Sequence, residues 1–90
     1  IDSYIDFYGS VPDNQIISTL PAGLNSGLGF VNIYNSGIKF VNSPLLIRRD
    51  ITVYEPATLA NEAGVNSLQV LGNVINRSVI NNEGIIEIGN

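Results

Sequence analysis

One short pattern occurs twice in this chain, as Asn35-Ser36-Gly37-Ile38-Lys39-Phe40 and as Asn82-Glu83-Gly84-Ile85-Ile86-Glu87-Ile88. Each is a polar turn closing on glycine with a β-branched run directly behind it. Asn, Ser and Gly favour turns, and β-branched side chains fit the half-buried surface of a sheet, so the pattern predicts short strands joined by tight turns. A type I turn with a following bulge needs a left-handed residue, which places Gly37 and Gly84 at positive φ in this reading. Phe30-Val31-Asn32-Ile33-Tyr34 and Ile38-Lys39-Phe40-Val41, joined through Asn35-Ser36-Gly37, form the strongest hairpin signal.

The remaining segments follow the same rule. Residues 1–8 alternate, with Ile1, Ser3, Ile5 and Phe7 on one face and Asp2, Tyr4, Asp6 and Tyr8 on the other, as expected of a strand with period two. Gln15–Leu20 reads as a second strand and Leu45–Tyr54 as one long strand. Leu68–Leu71, Val74–Ile80 and Ile85–Ile88 read as further strands. Glu55–Gly64 is the one predicted helix, with Pro56 suited to its first turn and Gly64 to its C-terminal cap. Ile33, Phe40, Ile51, Val53, Val70, Ile86 and Ile88 are the expected core, while Asp50, Glu83 and Glu87 are expected in solvent.

Residues 1–90 make a single all-β domain in this reading, built as a small antiparallel β-sandwich or barrel with hairpins. A parallel β-solenoid is the alternative. Leu71-Gly72-Asn73-Val74-Ile75-Asn76 and Ile85–Asn90 carry it, because these Asn/Gly-punctuated segments resemble the coils of haemagglutinin-type adhesins and phage tail-spikes. The resemblance covers the last quarter of the chain. The first half lacks the steady period of a solenoid, which favours the antiparallel arrangement.

Chemistry is constrained by what is missing. The chain contains no His, Cys, Met or Trp, so the usual groups for proton transfer, nucleophilic attack or zinc binding are absent. Glu83 and Glu87 could stand across a turn at the separation a glycosidase needs, but read more simply as a turn residue and a solvent-facing strand residue. Asp2, Asp6 and Asp13-Asn14 match no calcium loop. Lys39 is the one lysine, and no serine is evidently placed to use it. We expect no enzyme, and assign no catalytic, cofactor-binding or metal-ligating residue. The sequon Asn76-Arg77-Ser78 matters only in a secreted eukaryotic setting.

Four basic residues against eight acidic ones give a net charge of −4, the wrong sign for nucleic acid or an anionic membrane surface. Nor does any apolar run reach the length of a membrane span. Charged residues make up 13% of the chain, about half the usual share, as expected of a surface covered by neighbours. A chain this small, with no disulfide to help, gains most from association. It starts at Ile1 without a methionine, as after leader removal or as part of a longer chain.

The expected function is therefore a non-catalytic structural subunit of an extracellular or virion-surface assembly, either a phage or virus component or a pilus-like fibre. Its expected partners are copies of itself or other subunits, and strand pairing would hold the assembly together. The alternative is an adhesin or receptor-binding module recognising protein or glycan, with Tyr4, Tyr8, Tyr34 and Tyr54 as a stacking platform. Strand 1–8 is the expected intersubunit element, giving Ile1, Ile5, Phe7 and Tyr8 as interface residues. Arg48 and Arg49 join them, either as partners in an intersubunit salt bridge or as edge charges that block unwanted pairing.

Overall fold

A computed structural model describes residues 4–9, 15–17, 28–62 and 68–89 of the chain. These residues form eleven short strands: β1 (Tyr4–Phe7), β2 (Gln15–Ile17), β3 (Phe30–Ile33), β4 (Ile38–Val41), β5 (Leu45–Ile47), β6 (Ile51–Val53), β7 (Thr58–Asn61), β8 (Leu68–Val70), β9 (Val74–Asn76), β10 (Val79–Asn82) and β11 (Ile86–Ile88). The described residues contain no helix. The all-β reading therefore holds.

The antiparallel reading does not, because every strand pairing is parallel. Strands β1, β3, β6 and β9 make the first sheet, β2, β4, β7 and β10 the second, and β5, β8 and β11 the third. From β3 onward the chain visits the three sheets in turn and then starts again, a solenoid-like winding. Each circuit lays down a rung of three strands directly against the rung before it. Equivalent positions consequently fall into rows, such as Ile5, Val31, Ile51 and Val74 across the first sheet. An isolated parallel bridge from Leu28 to Ile47 continues the third sheet toward the first rung.

The expected hairpin fails because Asn35-Ser36-Gly37 turns a corner and does not reverse the chain. Its flanking strands β3 and β4 enter different sheets, each aiming alternate side chains at a shared interior. Asn35 carries the left-handed conformation, with φ of 67°, whereas Gly37 and Gly84 lie outside that region. Asn tolerates positive φ better than most residues, and here its Nδ2 donates to the Tyr8 carbonyl at 2.8 Å. The second Asn-x-Gly motif is likewise a corner, leading from β10 to β11.

Two further expectations are corrected. Leu45–Tyr54 is not one strand, since Arg48-Arg49-Asp50 is a corner between β5 and β6. Over residues 55–62 the predicted helix is instead a turn at Glu55-Pro56 followed by β7, and its expected cap Gly64 lies outside the described residues. So short a helix is marginal, while β7 pairs on both edges, with β4 and β10. It also places Leu59 and Asn61 in the interior.

The core is the inner face of the middle rungs: Val31, Ile33, Val41, Leu45, Ile47, Ile51, Val53, Ala57, Leu59, Leu68 and Val70. Four of the seven expected core residues (Ile33, Ile51, Val53 and Val70) are buried there. Phe40 is only half-buried on the outer side of β4, because Lys39 and Val41 take the inward positions. Ile86 and Ile88 lie in the last described rung, with no further described strand against them. Ile86 packs on the core, whereas Ile88 is 64% exposed. Glu83 and Glu87 are exposed as expected, and Asp50 is half-buried.

Candidate functional site: an aromatic face and a caged lysine

The outward positions of β1 are Tyr4 and Asp6, with Tyr8 directly beyond the strand. Parallel in-register pairing sets each beside its counterpart one rung away, so the outer face of the first sheet becomes three rows. Tyr4 stacks on Phe30, with ring centroids 4.5 Å apart. Tyr8 stacks on Tyr34 at 4.9 Å, and Tyr34 on Tyr54 at 4.7 Å, with interplanar angles of 8° and 2°. These separations equal the spacing of strands in a sheet, so the backbone itself sets the ring stack. Between the two aromatic rows, Asn32 Nδ2 donates to Asp6 Oδ1 at 2.9 Å and the Tyr8 hydroxyl donates to Asp6 Oδ2 at 3.2 Å.

This stack limits what the tyrosines can do. Both faces of the Tyr34 ring are taken by Tyr8 and Tyr54, so a sugar ring cannot lie on it. Loss of hydration, assisted by the neighbouring phenols and by Asp6, raises the Tyr34 hydroxyl above its ordinary pKa. Tyr8 is raised too, first by loss of hydration and then by its hydrogen bond to Asp6 and the carboxylate charge. Tyr8 and Tyr34 therefore present neutral hydroxyls near neutral pH.

A second constellation lies inside the corner. Lys39 is fully buried. Its Nζ donates to the carbonyl oxygens of Gly9 at 2.6 Å, Gly37 at 2.8 Å, Asn35 at 3.0 Å, and Tyr34. Burial lowers its pKa, and the converging carbonyl dipoles oppose that by favouring the ammonium. Gly9 belongs to the preceding rung and also accepts from the Gly37 N–H at 3.1 Å. One cation thus ties two successive corners together. Asn61, also buried, donates through Nδ2 to Asn82 Oδ1 at 2.9 Å and to the Ile85 carbonyl at 3.1 Å, leaving its own Oδ1 without a partner.

The sequence-predicted interface residues are not gathered in one place. Ile1 lies outside the described residues, as do Asp2, Asp13 and Asn14. Ile5 and Phe7 are half-buried in strand positions that alternate with the outward ones, and Phe7 packs on the core. Tyr8 is exposed at the far end of β1. Arg48 and Arg49 are exposed at the corner between the third and first sheets. No group of three acidic side chains able to hold a metal occurs among the described residues. An open groove of about 450 Å³ runs over the second sheet, lined by Ile38, Phe40, Ala60, Ile80 and Asn81 to Glu83.

The tyrosine row had a sequence signal. Ile5-Asp6-Phe7-Tyr8, Val31-Asn32-Ile33-Tyr34 and Ile51-Thr52-Val53-Tyr54 are one tetrapeptide three times, apolar–polar–apolar–tyrosine. The fourth rung reads Val74-Ile75-Asn76-Arg77, which ends the row on arginine. No comparable signal marks Lys39 as buried.

No protein-family model, curated protein or solved structure matches the chain. Among the described residues no helix is long and apolar enough to cross a membrane.

Proposed function

We propose that this chain is a non-catalytic structural subunit of an extracellular or virion-surface assembly, a segment of a fibre-like body held by strand pairing and packing. The observation that carries the reading is the in-register parallel pairing of all described strands around one core. A stack of this kind is extended by adding a rung at an edge. The weak resemblance of the last quarter to adhesin and tail-spike coils agrees with it. Sparse charge fits a surface meant to be covered.

An adhesin or receptor-binding module is the second reading, favoured by the aromatic and polar rows on the outer face of the first sheet. Because the ring faces within the row are already stacked, a glycan would have to be bound through hydroxyls and the Asp6–Asn32 pair, or on an end ring. Light scattering across a concentration series, with negative-stain microscopy, separates the two. A structural subunit forms species larger than the 9.7 kDa chain without ligand. A strictly monomeric chain that binds glycans on an array would overturn the structural reading in favour of the second.

A further inference from the structure

The tyrosine row offers chemistry that packing alone does not require. Three phenols stand face to face in it, Tyr8 and Tyr34 with ring centroids 4.9 Å apart and Tyr34 and Tyr54 at 4.7 Å, all nearly parallel. The fourth tyrosine is set apart, since Tyr4 stacks on Phe30. Phenols are also the groups of this chain that give up an electron most readily. Trp, Cys, Met and His, which would otherwise compete for an oxidant, do not occur in it. Tyr8 has a proton acceptor in place, because its hydroxyl donates to Asp6 Oδ2 at 3.2 Å. With Tyr8 55% exposed and Tyr34 half-buried, a diffusing oxidant can reach the row.

We propose that this row is an oxidative cross-linking site, at which a one-electron oxidant joins Tyr34 to Tyr8 or Tyr54 as dityrosine, with Asp6 taking the proton of the Tyr8 phenol. The inference goes beyond the structural-subunit reading and does not depend on it. The oxidant is an external one, of the class of a peroxidase's high-valent haem or a photogenerated ruthenium(III) complex. It removes one electron from each of two neighbouring phenols. The Tyr8 proton passes to the Asp6 carboxylate and that of Tyr34 or Tyr54 to solvent, leaving two phenoxyl radicals. A carbon–carbon bond forms between ring positions ortho to the two oxygens, and the hydrogen on each of those carbons moves to its own oxygen to restore the phenols. Two electrons and two protons leave in all. Tyr8 and Tyr34 hold their protons more firmly than a free tyrosine does, so at neutral pH the electron and proton must depart together, which a hydrogen-bonded carboxylate assists. In-register pairing supplies the proximity, since it fixes adjacent rings one strand width apart before any radical forms. It also makes the link selective: Tyr8 and Tyr54 are two strand widths apart, about 10 Å, with the Tyr34 ring between them. Every link within the row therefore uses Tyr34, and each ties one rung covalently to the next.

Photo-oxidation of the dilute chain with ruthenium tris-bipyridyl and persulfate tests the site. Dityrosine fluorescence should appear in material that, under denaturing conditions, keeps the mass of one chain less two hydrogen atoms. The fraction converted should not change on dilution, and peptide mapping should place Tyr34 in the link. Tyr34→Phe keeps the ring stack, and with it the fold, yet should lower the single-chain yield about ten-fold or more. Tyr4→Phe should leave that yield unchanged, and unfolding the parent in urea before oxidation should lower it. Asp6→Asn, which keeps an oxygen beside the Tyr8 hydroxyl without the basic carboxylate, should slow the Tyr8–Tyr34 link. A yield that survives Tyr34→Phe or urea, links that use Tyr4 as often as Tyr34, or products joining only separate chains would overturn the cross-linking site. An unchanged rate in Asp6→Asn would overturn the role of Asp6. The structural reading is untouched by any of these results, because it is judged by the size of the species formed without oxidant.

Discussion

Replacing Lys39 with Met tests the caged ammonium most directly. The apolar stem of the lysine and the methionine side chain occupy similar space, so the substitution removes the charge and its hydrogen bonds with little change in packing. Its cost has two opposing parts. Taking an ammonium out of water is expensive, and that penalty disappears in the variant. Against it, four carbonyl oxygens lose their donor. One of them, Gly9 O, keeps the Gly37 N–H, which leaves the carbonyls of Tyr34, Asn35 and Gly37. A buried acceptor stripped of its partner costs about 1–3 kcal/mol, and Asn35, being exposed, can recruit water. With two carbonyls left dry and the desolvation relief set against them, a net loss of about 2–4 kcal/mol results. That is a large share of what a domain of this size possesses. Urea unfolding should show a lower midpoint with an unchanged slope. Hydrogen exchange should quicken at the Gly37 amide, whose acceptor is held in the same cage. An unchanged or higher midpoint, with Gly37 still protected, would show that the carbonyls are satisfied without the lysine, and the cage would then be incidental.

Other outcomes follow from single residues. Gly72→Ala should lower stability by about 1–3 kcal/mol in a denaturant titration, because a Cβ there would lie 2.5 Å from Asp50 Oδ1 and 2.7 Å from the Arg49 carbonyl carbon. A neutral result would mean the corner shifts freely. Tyr34→Leu breaks both contacts of the tyrosine row and should cost about 1–3 kcal/mol, read from the same titration. Spectrophotometric titration of the phenols should place Tyr8 and Tyr34 above the ordinary 10.0. Since a raised phenol pKa means the folded chain holds its proton longer than the unfolded one, stability should fall as pH rises beyond that ordinary value. Ordinary titration of Tyr8 and Tyr34 would refute the desolvated stack. Ile33→Ala, in the centre of the core, should cost about 2–5 kcal/mol, and a loss well under 1 kcal/mol would mean the interior is loosely packed.

Strands were legible in the sequence, but their neighbours were not. Alternation in Val31-Asn32-Ile33 shows that a segment is extended with one side buried, and the structure agrees. The same alternation serves a hairpin and a corner equally well, because both bring one face of each strand to a common interior. Asn35-Ser36-Gly37 therefore carries the signature of a reversal, although the backbone turns there into another sheet. The unequal lengths of chain between Ile5, Val31, Ile51 and Val74 hid the winding, since chain inserted at corners disturbs a fixed period without disturbing the rungs. Phe40 departs from its expected core position for a different reason. Solvation places a lysine outward and a phenylalanine inward, yet at the Lys39-Phe40 pair the cage reverses both. The tyrosine face is half legible: the sequence marks all four tyrosines, but stacking of Tyr8, Tyr34 and Tyr54 along one row, which uses up ring faces, follows only from the parallel register.

The corners have a consequence for how such a chain can change. In a rung, one added residue within β6 would slip Ile51-Thr52-Val53 against both β3 and β9 and turn its apolar side outward. The same residue added among Asn42-Ser43-Pro44, between β4 and β5, would leave the strand ladders in register, since that segment belongs to no strand, while its own contacts would have to re-form. Added length is thus less costly at a corner than within a strand, except where a corner is caged, as by Lys39, or crowded, as at Gly72. New loops carrying recognition or modification sites can be grafted at the vertices of successive rungs while the spacing between those loops stays fixed by the ladder at one strand width.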